Sequence, residues 1–466
     1  MKVVKFNKLV REASRNGFFN FRYILNLLQK SLDRYSGSTS TEEELPNIQP
    51  LLHMMTDPAK GLKSDGRPRP NRVADFILAL GQFAKINHHI YFHLNDLKAL
   101  NKMIITIFEE DEISDEIVLK ILQGLCLLTK YNRIKHLAID LYAQAQMNSH
   151  LVFYTDDDRT NFSELEKNIY PIAILLNHGV FRIFSRSYID LSRKLINLMF
   201  EKQPFTDGFV RALYSLALID FDCRKLAKTS IFDRERTNKI TSLITDATFQ
   251  DLITNANDIE LTQLATSLSY LLANNIITPD LATPLLDQIK NKRIEKEKSI
   301  AARKITTSLE QRTTLKILRE LYPEETYHAE MEVLTKAGYT ADIVITNREN
   351  KEQVIVEVSG QVHNQTRDTF RNDLLRKTGF KDVITIHNDE VNEFASFKRL
   401  LRDRLETSMP IPKQSRRKEN LGEKKECTSS NPYALLSGGR RRKKKKHKKK
   451  KKSATSSKTT TPNGTK

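Results

Sequence analysis

Ala341-Asp-Ile-Val-Ile345 and, one turn later, Val354-Ile-Val-Glu-Val-Ser-Gly-Gln-Val-His363 put one acid in each of two runs rich in Val and Ile. Short β-branched runs bounded by polar turns read as strands. Asp342 and Glu357 therefore fall near the end of a common sheet, where both carboxylates would face one divalent ion. Carboxylate oxygens suit magnesium, and a magnesium ion held this way points to phosphodiester chemistry. The plainer alternative is that the two are ordinary strand-end acids paired with Arg or Lys. In either case an acid in apolar surroundings needs a partner, because an unpaired buried charge is too costly.

Around these strands the pattern alternates between the two periods. Glu310 to Leu321 has Leu315, Leu318 and Leu321 on one helical face; Tyr327 to Leu334, Thr340 to Ile345 and Gln353 to Val358 read as three strands of a meander. Arg367 to Thr378 returns to helical spacing through Phe370, Leu374 and Leu375, Asp382 to Ile386 is a fourth strand, and Glu390 to Leu405 a last helix. The order is αβββαβα.

That order, with Glu330 or Glu332 in the first strand, Asp342 in the second and Ile355-Val-Glu-Val-Ser-Gly-Gln-Val-His363 at the third, resembles the PD-(D/E)XK nuclease superfamily, most closely its RAP and very-short-patch-repair-like branches. Leu374, Leu375, Arg376 and Gly379 match the leucine-rich helix and glycine turn of that family, and the likeness covers residues 306–406. It implies an α/β PD-(D/E)XK-like module with Asp342 and Glu357 as metal ligands and catalytic acids, and His363 beside the scissile phosphate. RAP modules follow helical repeats in RNA-binding proteins, so it also implies RNA as partner, with DNA as the alternative. The chain departs from the pattern at Ser359, where the nucleases place the Lys that activates water. Arg371, Arg376 or Lys377 on the next helix would have to replace that Lys, and the same three are candidate nucleic-acid contacts. Gln361 stands at the usual Pro, Asn364 at an aromatic position, and the chain has no Trp.

Before this module, residues 72–292 read as all helix: apolar residues recur every three or four positions and Gly and Pro are sparse. A register recurs as Leu80, Phe83, Asn87; Leu125, Leu128, Asn132; Tyr170, Ala173, Asn177; and Leu213, Leu216, Asp220, in steps of 45, 45 and 43 residues, with a looser copy at Leu268, Leu271, Asn275. Paired helices at that period predict a solenoid-like stack with a concave face for an extended partner such as single-stranded RNA; an ordinary bundle is the alternative. Ile294 to Arg303 is a charged helical bridge to the module. Residues 1–71 read as a first helix and an irregular linker holding five prolines (Pro46, Pro50, Pro58, Pro68, Pro70).

The charge is uneven. Of the net +19, the residues from Ser408 onward carry +17 (20 Lys and Arg against 3 Glu), leaving +2 on everything before them. Most of the excess is Arg440, Arg441, Arg442, Lys443, Lys444, Lys445, Lys446 and the run on to Lys452. Nothing in residues 408–466 is apolar enough to fold, so they read as a disordered polycation that attracts nucleic acid without regard to sequence. The same run serves equally as a nuclear or nucleolar address.

Three cysteines, Cys126, Cys223 and Cys427, are too few and too scattered for a disulfide framework and fit a reducing compartment. No apolar run reaches membrane-spanning length. The expectation is a soluble intracellular, multidomain protein, cytoplasmic or nuclear; the basic N-terminus, with Glu12 its single acid up to Leu32, faintly resembles a mitochondrial leader. His89 and His93, at a spacing of four, lack a third zinc ligand, and Asp156-Asp-Asp158 reads as a solvated turn. No phosphate-cradling glycine loop, nucleophile elbow or dinucleotide fingerprint occurs, which removes ATPase, esterase and dehydrogenase readings. Three readings remain: an RNA-binding protein acting in RNA processing, stability or translation; a magnesium-dependent endonuclease; and a protein-binding scaffold directed by its tail.

Overall fold

The computed structural model of the chain describes residues 70–86, 92, 94–109, 113–132, 137–156, 160–201, 208–300, 308–359, 365–391 and 394–410. The first segment up to 69, His89, His93 and the basic run from Arg440 lie outside these residues, as do Asp157 and Asp158 of the acidic triplet.

The described part is mostly helical, with a small mixed sheet toward its C-terminal end. Eleven helices come first: α1 (Pro70–Ile86), α2 (Leu94–Phe108), α3 (Asp115–Asn132), α4 (Leu141–Asp156), α5 (Phe162–Asn177), α6 (Arg186–Glu201), α7 (Phe209–Asp222), α8 (Arg234–Thr245), α9 (Ala247–Asn255), α10 (Asp258–Ala273) and α11 (Pro279–Ile300). The charged stretch after Lys292 thus continues α11 through Ile300. Local sequence sets several starts. Asn161 with Glu164, and Asn257 with Glu260, form reciprocal capping boxes that satisfy backbone donors the first helical turn leaves over.

The helices pack in two series. In one, α1 lies on α3, α3 on α5, α5 on α7, α7 on α10 and α10 on α11; in the other, α2 lies on α4, α4 on α6 and α6 on α8. The first series holds the recurring apolar positions, and Leu80, Phe83, Leu125, Leu128, Ala173, Leu213, Leu216, Leu268 and Leu271 are all buried. Where α1 crosses α3, Gly81 faces Gly124, and a Cβ on Gly124 would fall 2.6 Å from the Ile77 carbonyl oxygen. The two backbones touch directly there, which only glycine permits.

Polar links between successive elements recur at nearly constant separation. Asp140 N–H donates to Asn101 across 39 residues, Gln144 to the Ile183 carbonyl across 39, Lys194 to the Tyr154 carbonyl across 40, Lys239 to Asn197 across 42, and Arg211 to Glu166 across 45.

The second unit follows: α12 (Leu309–Leu321), β1 (Tyr327–Leu334), β2 (Thr340–Asn347), β3 (Gln353–Ser359), α13 (Gln365–Lys377), β4 (Asp382–His387), a 3-10 turn over Asn388–Val391, and α14 (Phe394–Leu405). The sheet order is β1-β2-β3-β4, antiparallel through β3, with β4 parallel to β3. A parallel pair needs a crossover, and α13 supplies it. Continuous burial of Val354, Ile355 and Val356 marks a strand covered on both faces. On one face Ile343, Ile345, Val354, Val356, Ile384 and Ile386 meet Ile317, Leu318 and Leu321 of α12 and Phe397, Leu401 and Leu405 of α14. On the other, Val344, Ile355 and Val383 meet Phe370, Leu374 and Leu375 of α13 and run into the core of the helical body.

The β1–β2 turn docks on that body: Thr266 donates to the Ala337 carbonyl at 3.0 Å, Ser269 to the Lys336 carbonyl at 3.3 Å, and Arg293 to the Gly338 carbonyl. Gly338 has φ +81, and a Cβ there would meet Ala265 at 2.7 Å. Phe370 completes the seam, edge-on to Phe221 at 5.1 Å and tilted against Tyr270 at 5.7 Å.

One expected boundary is corrected. Ser408 and Met409, assigned from sequence to the tail, are buried. Ser408 donates to Asp382 at 2.6 Å, the Met409 carbonyl accepts from Tyr322 at 2.7 Å, and the Pro410 carbonyl accepts from Tyr327 at 3.1 Å. The folded module therefore runs to Pro410. Charge dominates the composition after Glu406 and hid the one apolar residue that matters there.

Candidate functional site: two acids and an arginine

Ile343 and Val356 are partners across the β2–β3 ladder. Asp342 precedes the first and Glu357 follows the second, so in an antiparallel pair both acids fall at the same end of the sheet, on the face beneath α13. Sequence reasoning expects this convergence, and the structure brings the two together.

Their partners differ from a metal pair. Asp342 is half-buried; one oxygen accepts the Val358 backbone N–H at 2.8 Å and the other accepts Gln311 Nε2 at 2.8 Å. Gln311 also caps α12 through Oε1, which accepts the Ser308 N–H at 2.9 Å. A single glutamine thus joins the start of α12 to the acid. Glu357 is 6% exposed and its Oε1 is ion-paired with the Arg371 guanidinium from α13. Arg371 also stands over the Tyr339 ring at 5.5 Å, a cation–π contact. Burial pushes the Glu357 carboxyl up to about 7; the neighbouring Asp342 adds to the rise, and Arg371 opposes it without cancelling it.

Two carboxylates offer the hard oxygens magnesium prefers. With Arg371 in place, however, the positive charge beside Glu357 is already supplied by protein, and both Asp342 oxygens are engaged. The donor set as it stands does not fit a divalent ion. Among the described residues no group of three or more His, Cys, Asp or Glu is placed to hold a metal.

Opposite this end of the sheet, Glu332 of β1 takes φ +54. It falls between the Met331–Ile343 and Val333–Ala341 pairs, and Met331 and Val333 pack into different cores. A non-glycine residue in the left-handed region is a local cost of order 1–3 kcal/mol, and such residues gather at functional sites.

The other expected site residues are dispersed. Ser359 closes β3, in register with His387 of β4. His363 lies outside the described residues. Arg376 donates twice to Asp382, at 2.9 and 3.2 Å, and Lys377 pairs with Asp373 at 3.0 Å; both sit in the last turn of α13, half-exposed, and not at the acids. Of the three cations proposed to replace the missing Lys, only Arg371 reaches Glu357. Gln311 and Tyr339 were not legible as site residues, because nothing local to either marks it as a partner of a distant acid.

Cys126 and Cys223 are buried free thiols. No described helix is long and apolar enough to cross a membrane. Compared with known proteins, the chain matches no protein-family model and no curated sequence.

Proposed function

We propose that this chain is an RNA-binding protein whose mixed-sheet module holds RNA without cutting it. The observation that carries the second half is the Glu357–Arg371 ion pair. The acid that would anchor a metal is buried and paired with a guanidinium from the crossover helix. The module then is a PD-(D/E)XK-like, RAP-like fold in which the site of cleavage has become an internal support for α13. The αβββαβα order and the convergence of Asp342 and Glu357 favour that descent, and the burial of Glu357 against the Arg371 guanidinium counts against it.

RNA as the partner rests on charge and architecture. The polycation from Arg440 to Lys452 supplies strong, salt-sensitive attraction to phosphate. Two series of stacked helices, linked at separations of 38 to 45 residues, support the helical-repeat reading and its extended binding face. The work such a protein does is in RNA processing, stability or translation.

Shortening the chain after Pro410, which keeps the buried Met409, separates body from tail. The shortened protein should retain selective affinity for single-stranded RNA in moderate salt, and Asp342→Ala should leave that affinity unchanged. Loss of all affinity with the tail would leave the tail as the sole contact and favour the scaffold reading.

A second reading has one observation in its favour: the two acids do converge. In it Arg371 swings away when a nucleic acid enters, magnesium takes its place, and the module cuts RNA or DNA. Its mark is metal-dependent cleavage lost in Asp342→Ala.

A further inference from the structure

Between the helical body and α13 lies an open cleft of 490 Å³. One wall is the end of α7 and the turn that follows, with Phe221, Arg224 and Lys225; the other is α13, with Thr369, Asn372, Arg376 and Lys377. Four of its lining residues are cationic, and Asp373 is its one acid.

The first wall is unusual in backbone as well as in charge. Cys223–Ala227 is a π-helical turn, closed by Lys228 in the left-handed region at φ +55. Single π turns are rare and frequent at functional sites. This one is braced from beneath by Asp220, 0% exposed, which accepts Arg224 Nε at 2.6 Å, Ser230 Oγ at 2.6 Å, the Ile231 N–H at 2.8 Å and the Tyr270 hydroxyl at 2.8 Å. A fully satisfied buried network of this kind rigidifies what it holds. Its effect is to fix Arg224 facing the cleft and to present the exposed Lys225 beside it. Lys225 makes no ion pair among the described residues and stands 6.0 Å from the Phe221 ring.

We infer that this cleft binds the sugar-phosphate backbone of a single RNA strand, with Lys225 and Lys377 as phosphate contacts from opposite walls and Asn372 and Thr369 as donors and acceptors for the ribose. The inference rests on the reading of the chain as RNA-binding and names a surface away from Asp342 and Glu357. Several considerations favour RNA. The cleft falls within the roughly 300–1,000 Å³ of ligand sites, room enough for a short segment of one strand. An ammonium group on each wall, Lys225 without an ion pair among the described residues and Lys377 ion-paired among them only with its helix neighbour Asp373 at 3.0 Å, suits a chain of point charges better than a single anion. The polycation on the same chain keeps RNA at high local concentration.

The test uses the full-length chain and a short fluorescein-labelled single-stranded RNA, with affinity followed by anisotropy across a salt series and contacts mapped by ultraviolet crosslinking. Each phosphate contact to a single strand contributes about 0.7 to the slope of log affinity against log salt. Lys225→Gln/Lys377→Gln should therefore lower the slope by about 1.4 and weaken binding at moderate salt roughly tenfold, with an unchanged melting temperature. Crosslinks should fall in peptides covering Arg224 to Lys228 and Thr369 to Lys377. Should the double variant fold poorly, Lys225→Gln alone is read instead, for half the change. Tight binding by the parent chain, with unchanged slope in the variant and crosslinks only elsewhere, overturns the cleft and leaves the RNA-binding reading standing. No binding by the parent chain removes both.

Discussion

Replacing Arg371 by Met removes the guanidinium while keeping most of the apolar stem, and the structure sets the size of the effect. Glu357 is 6% exposed, with its carboxyl at about 7 instead of the 4.5 of a free glutamate. At about 1.4 kcal/mol per tenfold change in proton affinity, ionised Glu357 already costs the fold about 3 kcal/mol at pH 8. Because its folded value is raised, the native state holds the proton more tightly than the unfolded chain. The carboxyl's favourable contribution is complete below pH 4.5 and is lost as pH climbs through 7. Removing Arg371 takes away the charge that opposes the rise, so the carboxyl climbs further and keeps its proton at pH 8; from a starting value of about 7, the pH-dependent part of the loss is capped there at about 1.4 kcal/mol, for a total of about 2–3 kcal/mol. At pH 5 the group is protonated and the loss should shrink to about 1 kcal/mol, a lost hydrogen bond. Urea unfolding followed by circular dichroism at pH 5 and pH 8 reads both values, and Arg371→Met/Glu357→Gln should recover most of the loss at pH 8. A penalty that is equal at the two pH values, or absent at pH 8, would refute the role given to Arg371.

Other expectations follow from packing. Gly124→Ala puts a methyl 2.6 Å from the Ile77 carbonyl and must push α1 from α3; despite alanine's better helix propensity, thermal melting should show a net loss of about 1–3 kcal/mol. Phe370→Ala empties the seam beside Phe221 and Tyr270 and should cost about 3–5 kcal/mol, with hydrogen exchange rising first in α13 and the β1–β2 turn. Asp220→Ala strands Arg224, Ser230, Tyr270 and the Ile231 N–H together; a loss above about 3 kcal/mol is expected in the same melting assay, and a neutral result would deny the network its bracing role.

How far the sequence discloses this arrangement depends on whether a feature is local. β-Branched runs with an apolar alternation or a continuous apolar core place all four strands, because Val and Ile fit a pleated, half-buried surface and little else competes there. The Leu80–Phe83 register locates the series of helices that stack on one another, since burial at three and four positions is a property of the segment itself. Asp342 and Glu357 converge as expected because antiparallel pairing across a short turn fixes their register. Pairing with Arg or Lys was the plainer alternative, and it holds for Glu357; which cation serves it, and the Gln311 partner of Asp342, were not legible. Arg371 is one of several cations in a basic helix, and only the path of the crossover decides which of them lands over Glu357. Gln311 belongs to a capping box that needs no acid to explain it. The left-handed Glu332, the π turn at Cys223–Ala227 and the close approach of Gly338 to Ala265 are conformations imposed by tertiary packing. The apolar Met409 is hidden by the charged tail around it, though Tyr322 and Tyr327 both reach for the chain there.

The most direct test of a module that holds RNA and leaves it whole is a single incubation. Full-length protein is mixed with end-labelled single-stranded RNA in magnesium or manganese, binding is followed on the sample, and the RNA is then resolved on a denaturing gel. The account predicts RNA that is bound and intact. Metal-dependent fragments that disappear with Asp342→Ala while binding persists would contradict it.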